Sequence, residues 1–340
     1  MLVPYIIFVF VFFVRIAIPV LNDRMDFQFY SDSKTYEYES TDYSKELVTV
    51  GGNFFGPVMI LRILGPQNYI AIFLFNLIVF FVSLYFFTRD RHLNLRIFLP
   101  LILLSSITFT SIMSINKEII SLLFSSILIY NHERKKIKYI LFLLVLSYFV
   151  RWQLTLFYIV YLFIFSNINF INNRKLMVLV LLVLISIFLF LFGDIFEDVF
   201  SIYDRVKDDY VEGRGLFNII MNIQNQYGYI LAFPLKTLHL LVGMLTRYRT
   251  VFDFTDVYNN LILYLQCILN AIVLYKTLKN KLYRLSYDYF YIAVIYCIIF
   301  AITPVYASRY FYLAIIFMSY LIAYESPYKS LKYENSKNYN

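Results

Sequence analysis

Uninterrupted apolar runs constrain the fold of this chain more than any other feature of its sequence. At about 1.5 Å per residue in an α-helix, runs of this length cross the roughly 30 Å hydrocarbon core of a membrane. Apolar residues make up 61% of the chain and charged residues only 15%, which excludes a soluble domain. We therefore predict an all-α, polytopic transmembrane helical bundle that forms one integral membrane domain over residues 1–340. The longest runs are Leu2–Leu21, Tyr69–Phe87, Ile97–Ile115, Leu176–Phe192, Tyr258–Leu278 and Tyr289–Tyr306.

A further apolar stretch, Tyr139–Phe165, contains an arginine at its centre. A charged residue at the centre of a single membrane helix costs roughly 2.5–3.5 kcal/mol on insertion scales. Arg151 therefore indicates either that the chain turns here, which lifts the guanidinium to a polar surface, or that it lines a hydrated cavity.

Lysine and arginine are concentrated in the short connectors between the runs and in the C-terminal tail. Because cytoplasmic loops carry an excess of basic residues, we predict that these segments and both termini are cytoplasmic. Tyr139–Phe165 must then be a hairpin with its tip in the outer leaflet, since a single span would place a basic connector outside. This topology gives about ten membrane segments, including short broken hairpins. The basic segments are 88–96, 131–138, 166–175, 276–284 and 325–340.

Two longer polar regions are predicted to lie on the outer side of the membrane. The first, 22–56, is acidic, and the second, 193–257, contains an amphipathic stretch at Leu231–Arg249. Lys236 and other polar residues recur on one face of this stretch at helical spacing, with leucines on another. We predict a helix that lies on the outer interface or dips in and out of the membrane.

Three polar interruptions of apolar sequence also fall on this outer side and place three cations there. Arginine grips phosphate through two parallel hydrogen bonds, and lysine contributes a point charge. The natural ligand of such a set is a lipid-linked phosphate or pyrophosphate. An acidic residue of 22–56 above it has an obvious use as the general base that activates an acceptor hydroxyl, which predicts sugar transfer from a lipid carrier. The interruptions are Asn116-Lys117-Glu118, Arg151-Trp152-Gln153 and Ser308-Arg309-Tyr310.

Each cation also has a structural interpretation. Arg151 can reach lipid head groups or pair with a carboxylate such as Glu118. Lys117 and Glu118 can mark the start of a helix, because glutamate is favourable near the positive helix N-terminus. Arg309 can serve as an interfacial anchor.

Other chemistries lack their signatures in this sequence. It contains neither a Walker loop nor a glycine-rich dinucleotide turn, and its three histidines are scattered. We expect no cofactor and propose no metal ligands, while the need for a metal in catalysis stays open. A lipid-oligosaccharide flippase or other transporter is an alternative of a different class, but its paired internal repeats with breaks at the bilayer midplane are not apparent.

Four short motifs together resemble those of bacterial capsule and O-antigen polymerases of the Wzy and EpsG-like type, and more distantly membrane glycosyltransferases with the GT-C architecture. The resemblance covers most of the chain as topology. Trp152 stands where the usual Arg-Pro-Gln break has proline. The motifs are Asp-Ser-x-x-Tyr (Asp32, Ser33, Tyr36), Asn-Lys-Glu (Asn116–Glu118), Arg-x-Gln (Arg151, Gln153) and Ser-Arg-Tyr (Ser308–Tyr310).

The resemblance implies a GT-C-like fold and polymerisation of oligosaccharide repeat units from an undecaprenyl-pyrophosphate carrier at the outer face of a bacterial plasma membrane. It implies that Asp32 is catalytic. Membrane lipid and a chain-length regulator are the partners expected beside the carrier substrate, and nucleic acid is not expected. The alternative within the same chemistry is a transferase that adds one sugar from a polyprenyl-phosphate donor. Lys117, Arg151 and Arg309 would bind the carrier phosphate, supported by Tyr36, Glu118, Gln153 and Tyr310.

Overall fold

The computed structural model describes residues 32–42, 54–89, 93–165, 173–192, 216–283, 288–302 and 308–324. Within these ranges the secondary structure is helical, apart from one isolated antiparallel bridge between Leu93 and Tyr324. The predicted first span, Leu2–Leu21, and the predicted cytoplasmic tail, 325–340, lie outside the described residues.

Fourteen α-helices are numbered here in chain order over the described residues. A 3₁₀ segment at Gly243–Phe252 follows α11, and another at Ser308–Phe311 precedes α14. A π turn at Tyr258–Ile262 leads directly into α12. The helices are α1 Ser33–Thr41, α2 Phe55–Leu64, α3 Tyr69–Thr88, α4 Leu95–Leu103, α5 Ser106–Met113, α6 Lys117–Glu133, α7 Ile137–Tyr148, α8 Trp152–Phe165, α9 Arg174–Phe192, α10 Leu216–Tyr227, α11 Tyr229–Val242, α12 Leu263–Lys279, α13 Asp288–Phe300 and α14 Tyr312–Ala323.

Several helices are long and apolar enough to cross a membrane. In the described part of the chain four helical stretches meet that standard, or five if a bent pair counts as one span. By length and composition these helices are compatible with a helical membrane protein, and they are fewer than the about ten membrane segments that the sequence predicts. The four stretches are Tyr69–Thr88, Arg174–Leu191, Tyr229–Thr246 and Tyr258–Lys279.

The predicted continuous span Ile97–Ile115 is wrong, because the chain bends by 64° between α4 and α5. The side chain of Ser105 accepts a hydrogen bond from the Thr108 backbone N–H and so begins a new helix after α4 ends. Pro100 lies inside α4 and removes one donor from its hydrogen-bond ladder. The two short helices replace one span with a broken one.

The interruption at Arg151 does separate two helices, as predicted. α7 ends at Tyr148, α8 begins at Trp152, and the two helices pack against each other. The turn between them is fixed to α2, since the Gly56 backbone N–H donates to the Phe149 carbonyl at 2.8 Å. A Cβ at position 56 would lie 2.7 Å from that oxygen, so only glycine allows this approach.

The last two helices form the centre of the bundle. Ten consecutive residues of α14, Tyr312–Leu321, are buried, and α13 beside it is buried along most of its length. α9 lies at the periphery, with large apolar side chains such as Phe190 and Leu191 exposed. This inside-out distribution is what a lipid-facing helix requires, because hydrocarbon solvates leucine and phenylalanine.

The amphipathic stretch Leu231–Arg249 differs from its predicted orientation. It forms α11 and the following 3₁₀ segment, and the first part is long and apolar enough to cross a membrane. Lys236, predicted on the polar face, is fully buried and donates to Gln224 Oε1 at 3.2 Å, while Leu235 and Leu238 are exposed. The polar face therefore points into the bundle, since leucines are stable against lipid and a lysine needs an internal partner.

Candidate functional site

Asp32 occupies the position just before α1, where the backbone adopts the left-handed conformation with φ of 58°. Its side chain makes no hydrogen bond to the helix that follows. Instead Asp32 Oδ2 forms an ion pair with Arg309 Nη2 at 2.9 Å. The Asp32 side chain is 38% exposed and that of Arg309 only 12%, so this ion pair joins an accessible carboxylate to an enclosed cation.

Asn116 begins α6 and thereby sets the positions of Lys117 and Glu118. Its side-chain Oδ1 accepts hydrogen bonds from the backbone N–H groups of Glu118 and Ile119, at 3.0 and 3.3 Å. This is the N-cap arrangement that satisfies otherwise unpaired donors at a helix start. The structural interpretation of the Asn-Lys-Glu motif as a helix start is therefore confirmed.

Glu118 and Arg151 form a buried ion pair through Glu118 Oε1 and Arg151 Nη2. Their side chains are only 4% and 6% exposed. The guanidinium also lies over the ring of Tyr310, 5.2 Å from its centroid. The structural alternative for Arg151, a pairing with Glu118, is thus what the structure shows.

Lys117 lies among aromatic rings rather than carboxylates. Its ammonium is 4.9 Å from the ring centroid of Phe54 and 5.6 Å from that of Tyr36. Within the described residues no carboxylate lies within ion-pair distance of it. Cation–π contacts of this kind favour the charged ammonium, but burial and then the nearby Arg151 charge lower the pKa of Lys117 to about 7.

Two tyrosines, Tyr36 and Tyr310, lie against the cations of the cluster. Tyr36 is buried, and burial followed by the nearby Asp32 and Glu118 carboxylates raises the pKa of its phenol well above the usual range. The phenol therefore stays protonated at physiological pH. The Tyr310 ring lies 5.2 Å from the Arg309 guanidinium carbon, and its backbone carbonyl accepts a hydrogen bond from the Tyr296 hydroxyl at 3.1 Å.

Gln153 is buried and lies two residues after Arg151 in the sequence. Its Oε1 atom accepts no hydrogen bond from the described residues. A buried amide oxygen without a donor costs about 1–3 kcal/mol. This acceptor is therefore available to a hydroxyl or to water.

Seven of the eight residues predicted for the site interact directly or through space in one region of the bundle, while no described contact joins Gln153 to them. The residues that sequence reasoning missed are Phe54, Tyr258 and Tyr296. Tyr258 lies under Arg309, with 5.9 Å between its ring centroid and the guanidinium carbon. These aromatic residues come from distant parts of a chain with 36 phenylalanines and 33 tyrosines, so no local signal in the sequence distinguishes them.

When Lys117 is protonated, the five ionisable residues of the cluster carry a net charge of +1; burial lowers the pKa of Lys117 to about 7. Lys117, Arg151 and Arg309 contribute three positive charges, and Asp32 and Glu118 two negative ones. Because the cluster is enclosed by protein, its excess positive charge acts through a lower dielectric constant than in water. The arrangement is suited to binding an anion next to an accessible carboxylate.

Within the described residues no three His, Cys, Asp or Glu side chains lie close enough together to hold a metal ion. Comparison of the chain with family models, characterised proteins and solved structures finds no match.

Proposed function

We propose that this protein transfers oligosaccharide repeat units from an undecaprenyl-pyrophosphate carrier to a growing polysaccharide at the outer face of a bacterial plasma membrane. The observation that carries the proposal is the enclosed cluster of three cations and two carboxylates, with its net charge of +1. A lipid-linked phosphate brings the compensating negative charge, and its tail is compatible with the surrounding membrane helices.

The two carboxylates differ in ways that assign them different roles. Glu118 is buried in its ion pair with Arg151, and its role is to fix that guanidinium. Asp32 is the most exposed charged residue of the cluster, and its carboxylate is paired with Arg309. A deprotonated, accessible carboxylate beside a phosphate site is suited to accept a proton from the acceptor hydroxyl.

In the proposed reaction the acceptor hydroxyl oxygen attacks the anomeric carbon of the donor sugar. The bond between that carbon and the carrier phosphate oxygen breaks, and the carrier pyrophosphate leaves with the bonding electrons. Asp32 receives the hydroxyl proton. Lys117, Arg151 and Arg309 stabilise the negative charge that develops on the leaving group, which is the largest contribution such a site can make.

Lys117 is suited to receive phosphate, because its ammonium lies against the rings of Tyr36 and Phe54 and forms no ion pair among the described residues. A net charge of +1 matches the single negative charge of a polyprenyl-phosphate sugar, whereas a sugar-linked pyrophosphate carries two negative charges. The alternative, a transferase that adds one sugar from such a donor, is therefore tested alongside the polymerase.

The test uses purified protein in lipid nanodiscs with two donors, a pyrophosphate-linked oligosaccharide and a polyprenyl-phosphate sugar. Polymer formed from the first donor supports the polymerase, and a single addition from the second supports the alternative. Asp32→Asn should abolish product, whereas Glu37→Gln, farther along α1, should retain it. Full activity of Asp32→Asn would exclude Asp32 as the base.

Arg151→Lys tests the phosphate ligand separately. A lysine keeps the charge but lacks the planar guanidinium, so we expect about 10–100-fold less product, which corresponds to one hydrogen bond to a charged group. Arg96→Lys, an exposed arginine at the start of α4, is the matched control. Normal product from Arg151→Lys would contradict the proposed role of Arg151.

A further inference from the structure

A polar cavity lies near the C-terminal ends of α6 and α8, the two helices whose N-terminal ends lie at the cluster. α6 runs from Lys117 to Glu133, with His132 in its last turn, and α8 runs from Trp152 to Phe165. Each of the two helices is roughly 20 Å long at about 1.5 Å per residue. The cavity has a volume of about 450 Å³. Its lining includes His132, Lys135, Ile137, Tyr161, Arg174 and Asp288.

Asp288 organises the charged wall of this cavity. Its Oδ1 lies 3.4 Å from Arg174 Nε, and its Oδ2 lies 3.3 Å from His132 Nε2. The other ring nitrogen of His132 is hydrogen-bonded to the Tyr161 hydroxyl. Asp288 thereby holds the Arg174 guanidinium at the wall of the cavity.

Arg174 keeps donor capacity after these contacts. Its Nη1 donates to the Ile164 carbonyl at 3.0 Å, and the guanidinium carbon lies 4.8 Å from the ring centroid of Phe165. Among the described residues no acceptor faces Nη2. Lys135 lies in the exposed turn between α6 and α7. Among the described residues no carboxylate lies within ion-pair distance of its ammonium. Two positive groups therefore line the cavity against one carboxylate.

The rim of the cavity is apolar and exposed. Ile137, at the start of α7, is 45% exposed, and the outward face of α7 continues with exposed Leu141 and Val145. A polar cavity that opens onto an apolar, lipid-facing helix surface matches a molecule with a charged head and a hydrocarbon tail. Basic pockets between membrane helices are known sites for anionic lipid head groups.

We propose that this cavity binds a phosphate group through Arg174 and Lys135. The apolar rim favours a phospholipid head group over a soluble phosphate compound as its source. The site is separate from the cluster around Arg151 and is independent of the proposed transferase activity. One phosphate charge balances the excess positive charge of Arg174 and Lys135 over Asp288.

The test is a binding titration of the delipidated, purified chain by native mass spectrometry. Phosphatidylglycerol is compared with diacylglycerol of the same acyl chains, which lacks phosphate. We expect phosphatidylglycerol to bind at least about tenfold more tightly than diacylglycerol, and Arg174→Gln and Lys135→Gln each to weaken it about tenfold. Lys175→Gln, which removes the same charge from the neighbouring exposed position, should leave binding unchanged.

Lys135→Gln keeps the test valid if loss of the Arg174–Asp288 contact prevents folding, because Lys135 is exposed and supports no described ion pair. Inorganic phosphate and glycerol phosphate form the second arm. Their binding with the same dependence on Arg174 and Lys135 would support the phosphate site and identify a soluble source. Equal binding of the two lipids, or an equal loss in Lys175→Gln, would overturn the proposal.

Discussion

The buried ion pair between Glu118 and Arg151 makes a quantitative prediction about stability. Removal of one partner from such a pair leaves an uncompensated charge in the protein interior and costs about 3–5 kcal/mol. Both side chains are nearly inaccessible, at 4% and 6% exposure, so solvent cannot replace the lost partner. We expect Glu118→Gln to lower the free energy of unfolding by an amount in that range.

A double-mutant cycle separates the ion pair from the other contacts of each residue. Arg151→Met alone leaves the Glu118 carboxylate buried, whereas Glu118→Gln together with Arg151→Met leaves no charge of the pair. The double variant should therefore recover at least about 2 kcal/mol relative to the sum of the two single losses. Arg96→Met, at an exposed position, should stay within about 0.5 kcal/mol of the parent protein.

The protein contains an intrinsic fluorescent reporter for this unfolding measurement. Its single tryptophan is Trp152, the residue next to Arg151. Tryptophan fluorescence during a titration of the detergent-solubilised protein with sodium dodecyl sulfate follows the unfolding of the site itself. A loss below about 1 kcal/mol for Glu118→Gln, the range of an exposed pair, would refute the buried pairing.

Three further predictions concern packing, capping and topology. Gly56→Ala should destabilise the protein by about 1–3 kcal/mol, because the added Cβ meets the Phe149 carbonyl, and a lower unfolding midpoint would show it. Asn116→Ala should cost about 0.5–2 kcal/mol through loss of the α6 cap, measured in the same titration. In labelling of intact cells with an impermeant thiol reagent, Asp253→Cys should react and Arg134→Cys should not. The background is low because both native cysteines are buried. Reaction at position 134 would reverse the predicted orientation.

Local sequence signals predicted the interruptions of the helices well. Asn116 and Arg151 are polar residues in apolar surroundings, and each proved to mark a helix boundary. The bend inside Ile97–Ile115 was missed because serine is tolerated in an apolar run, and only the hydrogen bond from Thr108 shows that Ser105 begins a helix. Capping depends on backbone conformation, which apolar periodicity does not report.

The pairing of Arg151 with Glu118 was predicted only as an alternative to phosphate binding, with Glu118 as one example of a carboxylate. Arg151 and Glu118 are 33 residues apart, and several other carboxylates were equally plausible partners from the sequence. The orientation of Lys236 failed for a related reason. An amphipathic pattern has the same period whether its polar face meets water or other helices, and only the surroundings decide which face is buried.

The location of the three cations argues for function rather than stability. Lys117 begins α6, Arg151 immediately precedes α8, and Arg309 lies in the 3₁₀ turn that leads into α14. Helix N-termini carry a partial positive charge and favour anions, so a cation at each is electrostatically unfavourable. Glu118 and Asp32 offset two of these charges, and a bound phosphate would offset the third while accepting hydrogen bonds at the helix starts. Violations of a local rule that converge in one place are expected where a site has been shaped for a ligand.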